Sequence, residues 1–551
     1  MSAPHSLVNS PADWWRHAVI YQVYPRSFAD GNGDGIGDLP GIIHRLPDIA
    51  ALGIDAIWLS PFYTSPQKDA GYDVANYCDV DPVFGTLADA EKLIDTAHDL
   101  GLRIIVDIVP NHSSDQHEWF QEALASEPGS PQRARYMFRE GKGDSGELPP
   151  NNWESVFGGP AWTRVIESEG TPGQWYLHLF DSSQPDFNWE NPEVWEMFRG
   201  VLRFWLDRGV DGFRVDVAHG LIKEPGLPDH DYAKEAPLGN RGPFWDQDGV
   251  HEVYRDWHKV LEGYGPDRMM CAEAWVLPLE KMAWYVRDDE MHQAFNFGYL
   301  ATAWDATDLR NVINESLSAF GGVGGPSTWV LSNHDVVRHA SRMGLEYQSE
   351  GQPTGIGPLS PNKPDAGLGL ARARAASALM LALPGSAYLY QGEELGLPEV
   401  IDIPDEMRQD PTFFRTSGER YGRDGCRVPI PWESDTPAFG FNDTGKTWLP
   451  QPDTFSSLAR SQQVGVATST LELYRSVIEL RSKHALGTGS LEWLPGYPDS
   501  VVAFVNNGIA IIANAGDGDV ALPEGDILVS SGELSDNLLG PDTTAWVKLP
   551  S

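Results

Sequence analysis

The chain has 551 residues, 41% of them hydrophobic and 22% charged, which suits a large folded domain with additions and excludes a disordered chain. Its 40 basic and 79 acidic side chains give a formal charge of −39, which would repel nucleic acid and anionic lipid. Three cysteines without a CxxC pair do not build a disulfide framework. The N-terminus has no signal-peptide pattern, and no stretch reaches the roughly 18 apolar residues of a membrane span. We therefore expect a cytoplasmic protein with no nucleic-acid or membrane partner.

Short apolar runs alternate with amphipathic stretches over most of the chain. Near-continuous apolar strands between helices are typical of a parallel sheet covered by helices, and eight of them predict a TIM (β/α)₈ barrel of the α/β class. The runs begin at Ala18, Ala56, Arg103, Gly212, Met269, Gln293, Ser327 and Ser386.

Two parts of the chain depart from this alternation. Residues 112–183, after the third strand, are rich in Gly, Pro, Trp and polar groups and too long for a loop, which indicates an inserted subdomain above the barrel. From residue 484 the pattern becomes short alternating strands separated by turn signals, which predicts an antiparallel β-sandwich domain. We assign residues 1–111 and 184–483 to the barrel.

Ionisable residues follow several of the predicted strands. Catalytic groups of a TIM barrel lie at the carboxyl ends of its strands, so these residues should share one rim. Arg214 and Asp216 are two positions apart on a strand and face the same way, so the guanidinium can hold Asp216 as a carboxylate. Glycoside hydrolysis needs one ionised and one protonated acid, whereas any one acid alone also suits an ion pair at the barrel mouth. The strand-end residues are Asp107, Arg214, Asp216, Glu273, His334 and Asp335.

Five segments, in order, resemble signature regions of the α-amylase superfamily, glycoside hydrolase family 13. They are DIVPNH (107–112), QPDFNW (184–189), GFRVDVAH (212–219), AEAW (272–275) and SNHD (332–335). QPDFNW is similar to the segment that closes the inserted domain in the oligo-1,6-glucosidase and α-glucosidase branch. With YQVYPRSF, QGEELG and RDGCRVPIPW, the resemblance covers nearly the whole chain.

The resemblance implies roles for individual positions. Asp216 matches the nucleophile, Glu273 the general acid/base, and Asp335 the third carboxylate, which holds the sugar hydroxyls. The implied reaction is double displacement on a short oligosaccharide, with release of glucose or transfer to another sugar. Positions that match groups binding the nonreducing glucose are His112, Arg214 and His334. Positions that match the closure of the pocket are Asp73 and Arg423. Candidate stacking walls, for which core packing is an equal alternative, are Tyr63, Tyr72 and Phe157.

The segment DGNGDGIGD places oxygen-bearing side chains at alternate positions with glycines between them, like the start of an EF-hand loop. Position twelve is Gly41 instead of Glu, so the segment is not an EF-hand. In oligo-1,6-glucosidase relatives it binds structural Ca²⁺ or Mg²⁺. The ligands implied here are Asp30, Asn32, Asp34, the carbonyl of Ile36, and Asp38; a turn held by Asp side chains alone is the alternative. The usual α-amylase calcium site of the inserted domain is not recognisable.

Linkage preference depends on few residues. In relatives, valine after the nucleophile, here Val217, accompanies α-1,6 cleavage, but one side chain changes specificity by only about 1–3 kcal/mol. Both α-1,4 and α-1,6 linkages stay open. The alternatives are a trehalose synthase or sucrose isomerase on the same scaffold, although the RLDRD segment of sucrose isomerases is absent, and an inactive sugar-binding or transporter-accessory protein.

Overall fold

The computed structural model describes residues 12–167, 170–234, 242–346 and 355–550. Eight parallel strands form the predicted barrel. The strands are β1 (Val19–Val23), β2 (Ala56–Leu59), β3 (Arg103–Ile108), β4 (Gly212–Val215), β5 (Met269–Ala272), β6 (Gln293–Ala294), β7 (Thr328–Val330) and β8 (Ser386–Tyr390). They are paired in the order β6-β5-β4-β3-β2-β1-β8-β7. A parallel bridge between Phe295 and Thr328 joins β6 to β7 and closes the ring.

Helices surround the barrel and begin where the sequence supplies caps. Thr86 and Asp89 form a capping box at the start of one helix, and Asp38, Asn191 and Asp305 cap others. The longer helices are Leu39–Ala50, Leu87–Asp99, Pro192–Leu206, Val250–Glu262, Ala306–Gly322, Ala366–Met380 and Thr470–Lys483. Shorter helices are Glu118–Leu124, Leu279–Ala283, Phe297–Ala301, His339–Arg342, Pro411–Arg415, Phe455–Leu458 and Arg460–Gln463. Among the residues described, no helix combines the length and the apolar character needed to cross a membrane.

The barrel interior is filled by side chains from alternate strand positions, among them Trp58, Ile105, Cys271 and Tyr388, all nearly inaccessible to solvent. A second apolar layer lies between the strands and the surrounding helices. Because both faces of every barrel strand are covered, the strands read as continuous apolar runs in the sequence.

The chain leaves the barrel after β3 and returns just before helix Pro192–Leu206. Between them, helix Glu118–Leu124 and an antiparallel sheet of Phe138–Arg139, Pro172–Leu177 and Trp162–Ile166 form the inserted structure. Its two ends meet, because His112 and Asp186 form a bridge and Phe187 N–H donates to Asn111 O (3.0 Å). A two-stranded ribbon, Tyr63–Thr64 with Asn76–Val80, rises beside it from the loop after β2.

The C-terminal residues form two antiparallel sheets. Trp546 anchors the larger sheet to the barrel, because its indole N–H donates to Ala378 O (3.1 Å) in helix Ala366–Met380. The larger sheet contains Glu492–Trp493, Val501–Asn506, Ile509–Asn514, Thr543–Lys548 and Asp526–Ser530. The smaller contains Val520–Ala521, Leu538–Leu539 and Leu534–Ser535.

Candidate active site

One arginine on β4 connects acids from three neighbouring strands. Arg214 Nη1 donates to Asp216 Oδ1, just beyond β4 (2.6 Å), and to Asp107 Oδ1 on β3 (3.0 Å). Its Nη2 lies 3.8 Å from Glu273 Oε2, at the end of β5. The three carboxyl groups therefore meet at one rim, because parallel barrel strands end on the same side. The predicted contact between Arg214 and Asp216 is present.

The fourth acid, Asp335, follows β7 and joins this rim from the other side. Its Oδ1 accepts hydrogen bonds from Arg427 Nη2 (2.9 Å) and Arg423 Nη1 (3.1 Å), and its side chain is 37% exposed. Burial acts to raise the pKa of Asp335, but His334 and the two guanidinium groups outweigh it, so the pKa lies below the ordinary aspartate range. Asp335 is consequently a carboxylate at neutral pH, and it remains partly exposed.

The three acids around Arg214 titrate differently from Asp335. Burial raises the pKa of Asp216 and of Glu273, and it raises the pKa of Asp107 to about 6. Arg214 acts in the opposite direction on each, as a nearby positive charge favours a carboxylate. The balance for Asp216 stays upward because burial, together with the negative charges of Glu273 and Asp107, outweighs Arg214. The positive charge of Arg214 thus limits the rise in pKa but does not cancel it, although the sequence led us to expect that it would hold Asp216 as a carboxylate.

Two histidines and their partners line the same rim. His334 Nδ1 lies 2.7 Å from Gln22 Nε2, and Tyr72 stacks on the His334 ring with centroids 5.1 Å apart. His112 Nε2 lies 3.2 Å from Gln184 Nε2. Burial lowers the pKa of His112 to about 4 and lowers the pKa of His334 as well. Both imidazoles are therefore neutral near pH 7 and offer one donor and one acceptor each, as hydroxyl recognition requires.

The acid that pairs with Arg423 is Asp69, and the structure does not bring Asp73, which was predicted to close the pocket, into contact with Arg423. Arg423 Nη2 donates to Asp69 Oδ1 (2.7 Å). The carboxylate of Asp73, which is fully buried, accepts the backbone N–H groups of Lys68 (2.9 Å) and Asp69 (3.0 Å) instead. Asp73 therefore shapes the turn that carries Asp69, and burial raises the pKa of Asp73 to about 6.

The three candidate stacking residues differ in position. Phe157 lies beside Arg423, whose guanidinium carbon is 5.1 Å from the ring centroid. Tyr72 donates to Asp107 Oδ2 (3.1 Å) and so belongs to the acid cluster. Tyr63 packs against Trp205 in the outer core and donates to a backbone carbonyl. For Tyr63 the structure favours the alternative of core packing.

Sequence reasoning also missed Arg427 and Asp410. Arg427 Nε donates to His334 O (2.8 Å), in addition to its contact with Asp335. Asp410 accepts from Arg423 Nε (2.5 Å) and backbone N (2.9 Å), which fixes the orientation of the guanidinium. The two arginines four positions apart in RDGCR could have indicated Arg427. The sequence around Asp410 carries no comparable signal.

A buried lysine joins the inserted structure to the barrel. Lys223 Nζ lies 2.8 Å from Asp186 Oδ2 and 2.9 Å from Asn111 Oδ1, and it also donates to Gly220 O. Burial lowers the pKa of Lys223, whereas Asp186 acts against that shift. Asn111 therefore binds an ammonium group that belongs to the chain itself.

The glycine-rich loop of residues 30–38 is held by its own acidic side chains. Asp30 accepts the N–H groups of Asn32, Gly33 and Gly35, and Asp34 Oδ1 accepts that of Ile36 (2.8 Å). Asp38 accepts from Gly31, Asn32 and Gly41. In the part of the chain that is described, no three His, Cys, Asp or Glu side chains are grouped to hold a metal ion. These contacts match the alternative of an Asp-held turn, and the metal ion stays a prediction.

Comparison of the sequence with known proteins identifies the family of the chain. The model of the α-amylase catalytic domain matches residues 22–489. The chain belongs to the α-amylase family. A probable α-glucosidase of Rhizobium meliloti (strain 1021) is 40% identical over 511 residues, which cover 89% of this chain and 86% of the relative. The oligo-1,6-glucosidase of Parageobacillus thermoglucosidasius is 35% identical over 86% of this chain and 84% of its own length.

Solved structures give the same result for the fold. The α-glucosyl transfer enzyme XgtA superposes with a TM-score of 0.83 at 35% identity, over 97% of this chain and 99% of its own. The isomaltulose synthase PalI from Klebsiella sp. LX3 has a TM-score of 0.84 at 29% identity, over 98% of this chain and 99% of its own. With the relatives above, these similarities identify this family member as a glycoside hydrolase with glycosidase activity.

Proposed function

We propose that the enzyme is a retaining, exo-acting α-glucosidase that removes glucose from the nonreducing end of short α-glucosides. The observation that carries the proposal is the position of Arg423, which contacts Asp69, Asp335 and Asp410 at one end of the acid cluster. Such a bridge closes the site behind a single terminal sugar, so a long internal chain cannot pass through. The names of the α-glucosidase and oligo-1,6-glucosidase relatives support this proposal.

The proposed reaction has two displacements. Protonated Glu273 gives its proton to the glycosidic oxygen as the C–O bond breaks, and Asp216 forms a bond to the anomeric carbon. Glu273, now a carboxylate, then takes a proton from water, whose oxygen displaces Asp216 and releases glucose of the original configuration. A sugar hydroxyl in place of water gives transglucosylation. Asp335 holds sugar hydroxyl groups, and its carboxylate stabilises the oxocarbenium-like state.

Retention is proposed from the match of Asp216 and Glu273 to the nucleophile and the acid/base of the α-amylase family. Retaining glycosidases hold their two carboxyl groups about 5–5.5 Å apart, whereas inverting enzymes leave about 6.5–9.5 Å for a water molecule. Arg214 contacts both groups here, at 2.6 Å from Asp216 and 3.8 Å from Glu273, which places them at the same rim.

Linkage depends on the side of the site where the leaving group lies. Val217 is buried beside Trp245 and Gly220, and a side chain at position 220 would collide with both neighbours. This packing gives the leaving-group side a rigid apolar wall next to the nucleophile. We propose that the enzyme accepts α-1,6-linked and α-1,4-linked disaccharides, both of which can place their first glucose in the closed pocket.

A second candidate function is isomerisation or glucosyl transfer. The structural similarity to trehalulose synthase and isomaltulose synthase supports it, because hydrolases and isomerases on this scaffold share the glucosyl-enzyme step. The distinction lies in whether water or the released sugar attacks the intermediate. Product analysis by NMR after incubation with sucrose, maltose, isomaltose and trehalose distinguishes the two functions. Free α-glucose supports hydrolysis, and an isomerised disaccharide with little free glucose contradicts it.

The assigned roles are tested with Asp216→Ala and Glu273→Ala in the presence of azide and an aryl α-glucoside. Azide attacks the intermediate of the acid/base variant and gives the α-glucosyl azide, whereas it replaces the nucleophile in the other variant and gives the β-glucosyl azide. If each variant instead gave the azide expected of the other, the roles of Asp216 and Glu273 would have to be exchanged. Full turnover by Asp216→Ala would reject the mechanism, and a wild type that releases no aryl alcohol would favour an inactive sugar-binding protein.

We also propose a reducing, cytoplasmic location, supported by Cys78, Cys271 and Cys426, which are all free thiols. Fractionation of the source cells, with detection of the enzyme by antibody, tests this location. Recovery of the enzyme in the extracellular medium of intact cells would contradict it.

A further inference from the structure

The residue after Asp216 has an unusual backbone conformation. Val217 has a φ of 46°, in the left-handed region that β-branched residues rarely adopt because Cβ approaches the following carbonyl oxygen. Its side chain is 6% exposed and packs among Trp153, Phe244 and Trp245. Such a conformation persists only where neighbouring contacts impose it.

Hydrogen bonds on both sides of Val217 impose this conformation. Asp216 N–H donates to Ile108 O (2.9 Å), and Ala218 N–H donates to Glu273 O (2.8 Å). In addition, Glu273 N–H donates to Val215 O (2.9 Å). The peptide groups around Val217 are therefore bound to strands β3 and β5, and the turn between them has to pass through the left-handed region.

The turn directs one more donor at Glu273. Val217 N–H donates to Glu273 Oε2 at 2.8 Å, and Arg214 Nη2 lies 3.8 Å from the same oxygen. Both groups keep their hydrogens near neutral pH, because neither an amide nor a guanidinium loses its proton there. The carbonyl oxygen of a protonated carboxyl group is its better acceptor, so the Val217 N–H and the Arg214 charge favour Oε2 as the carbonyl oxygen and Oε1 as the site of the proton.

We propose that the left-handed main chain of Val217 is a positioning group that selects which oxygen of Glu273 carries the catalytic proton. This inference rests on the proposed role of Glu273 as general acid/base. The proton on Oε1 passes to the glycosidic oxygen, which takes the electron pair of the breaking C–O bond while Asp216 bonds to the anomeric carbon. The negative charge left on Glu273 is then shared with Oε2, where the amide N–H stabilises it.

Other groups also act on Glu273, and the test has to separate them from Val217. Its pKa is raised by burial and by Asp335, and lowered by Arg214, by the hydrogen bond from Val217 and by Trp275. The remaining titratable neighbours that interact with it electrostatically are Asp216, Tyr254 and Cys271. None of these groups changes if only the amide hydrogen of Val217 is removed.

An amide-to-ester replacement removes that hydrogen alone. Incorporation of α-hydroxyisovaleric acid at position 217 keeps the valine side chain and replaces N–H by oxygen, so the carboxylate of Glu273 loses a donor. We expect the basic limb of kcat/KM, which reports protonation of the acid, to move to higher pH and kcat to fall. The control is lactic acid at position 218, which removes the N–H that donates to the backbone carbonyl of Glu273 and should leave the limb in place.

Two results would overturn the inference: no shift of the limb in the 217 ester, or equal shifts in both esters. Failure of the proposed function is distinguishable, because Glu273→Gln would then retain the wild-type basic limb of the pH profile.

A second pair of variants tests the backbone strain at Val217 even if the esters fold poorly. Val217→Gly should unfold at a higher urea concentration than Val217→Ala, since glycine adopts positive φ without strain. The reverse order would contradict the imposed conformation.

Discussion

Replacement of Lys223 tests how the inserted structure is attached to the barrel. Lys223→Met keeps most of the side-chain volume and removes the ammonium group that contacts Asp186, Asn111 and Gly220. Asp186 is fully buried and Lys223 is 7% exposed, so the variant leaves a carboxylate without its counter-charge in the interior. Loss of one partner of a buried ion pair destabilises proteins by about 3–5 kcal/mol. We expect a loss of about 4 kcal/mol in the free energy of unfolding.

Urea denaturation followed by tryptophan fluorescence measures this loss. The matched control is Lys142→Met, because Lys142 lies 3.4 Å from Asp229 with both side chains more than half exposed. Exposed pairs contribute about 0–1 kcal/mol, so this control should unfold close to the wild type. Asp186→Asn added to Lys223→Met should recover part of the loss by removing the unpaired charge. A Lys223→Met protein as stable as the control would refute the reasoning.

Three further predictions concern the pocket, a buried acid and the glycine-rich loop. Asp69→Asn should raise KM for maltose or isomaltose far more than Asp73→Asn, whose main effect should be a loss of stability. Steady-state kinetics and melting curves separate the two effects. The reverse ranking would favour Asp73 as the residue that closes the pocket. Burial raises the pKa of Glu393 to about 8, so its folded pKa lies above the unfolded value. The resulting stability is complete below the unfolded pKa and is lost as pH rises through about 8. Between pH 6 and pH 9, the Tm of Glu393→Gln should therefore fall less than the Tm of the wild type. An equal fall in Tm for both proteins would be evidence against a protonated Glu393. For the loop of residues 30–38, we expect Ca²⁺ to raise the Tm of chelator-treated enzyme and Asp34→Asn to abolish the response; an unchanged wild-type Tm would leave the Asp-held turn as the explanation.

The meeting of Asp216 and Glu273 could be predicted because their positions follow from the strand pattern. Asp216 and Glu273 directly follow β4 and β5, and parallel strands of a barrel end at one rim, so two separate apolar runs were enough to bring them together. The pairing of Asp69 with Arg423 could not be predicted in the same way. Asp69 and Asp73 lie in one loop, and only the backbone hydrogen bonds accepted by Asp73 show which acid is free to reach across the site.

Backbone conformation was also beyond the sequence pattern. Valine has a low preference for positive φ, so nothing local predicts the turn at Val217. It results from hydrogen bonds to β3 and β5, residues about 50 to 100 positions distant in the chain, which exist only after the barrel has closed. The same dependence on long-range contacts applies to Asp410, whose role is defined by Arg423.

The single bridge between Phe295 and Thr328 has a consequence for motion at the site. Every other neighbouring pair in the barrel shares at least two register positions, so the seam between β6 and β7 has the lowest resistance to local opening. Asp335 lies on one side of this seam, and the cluster around Arg214 lies on the other. We therefore expect small opening at this seam to move Asp335 relative to Asp216 and Glu273, whose strands β4 and β5 stay paired.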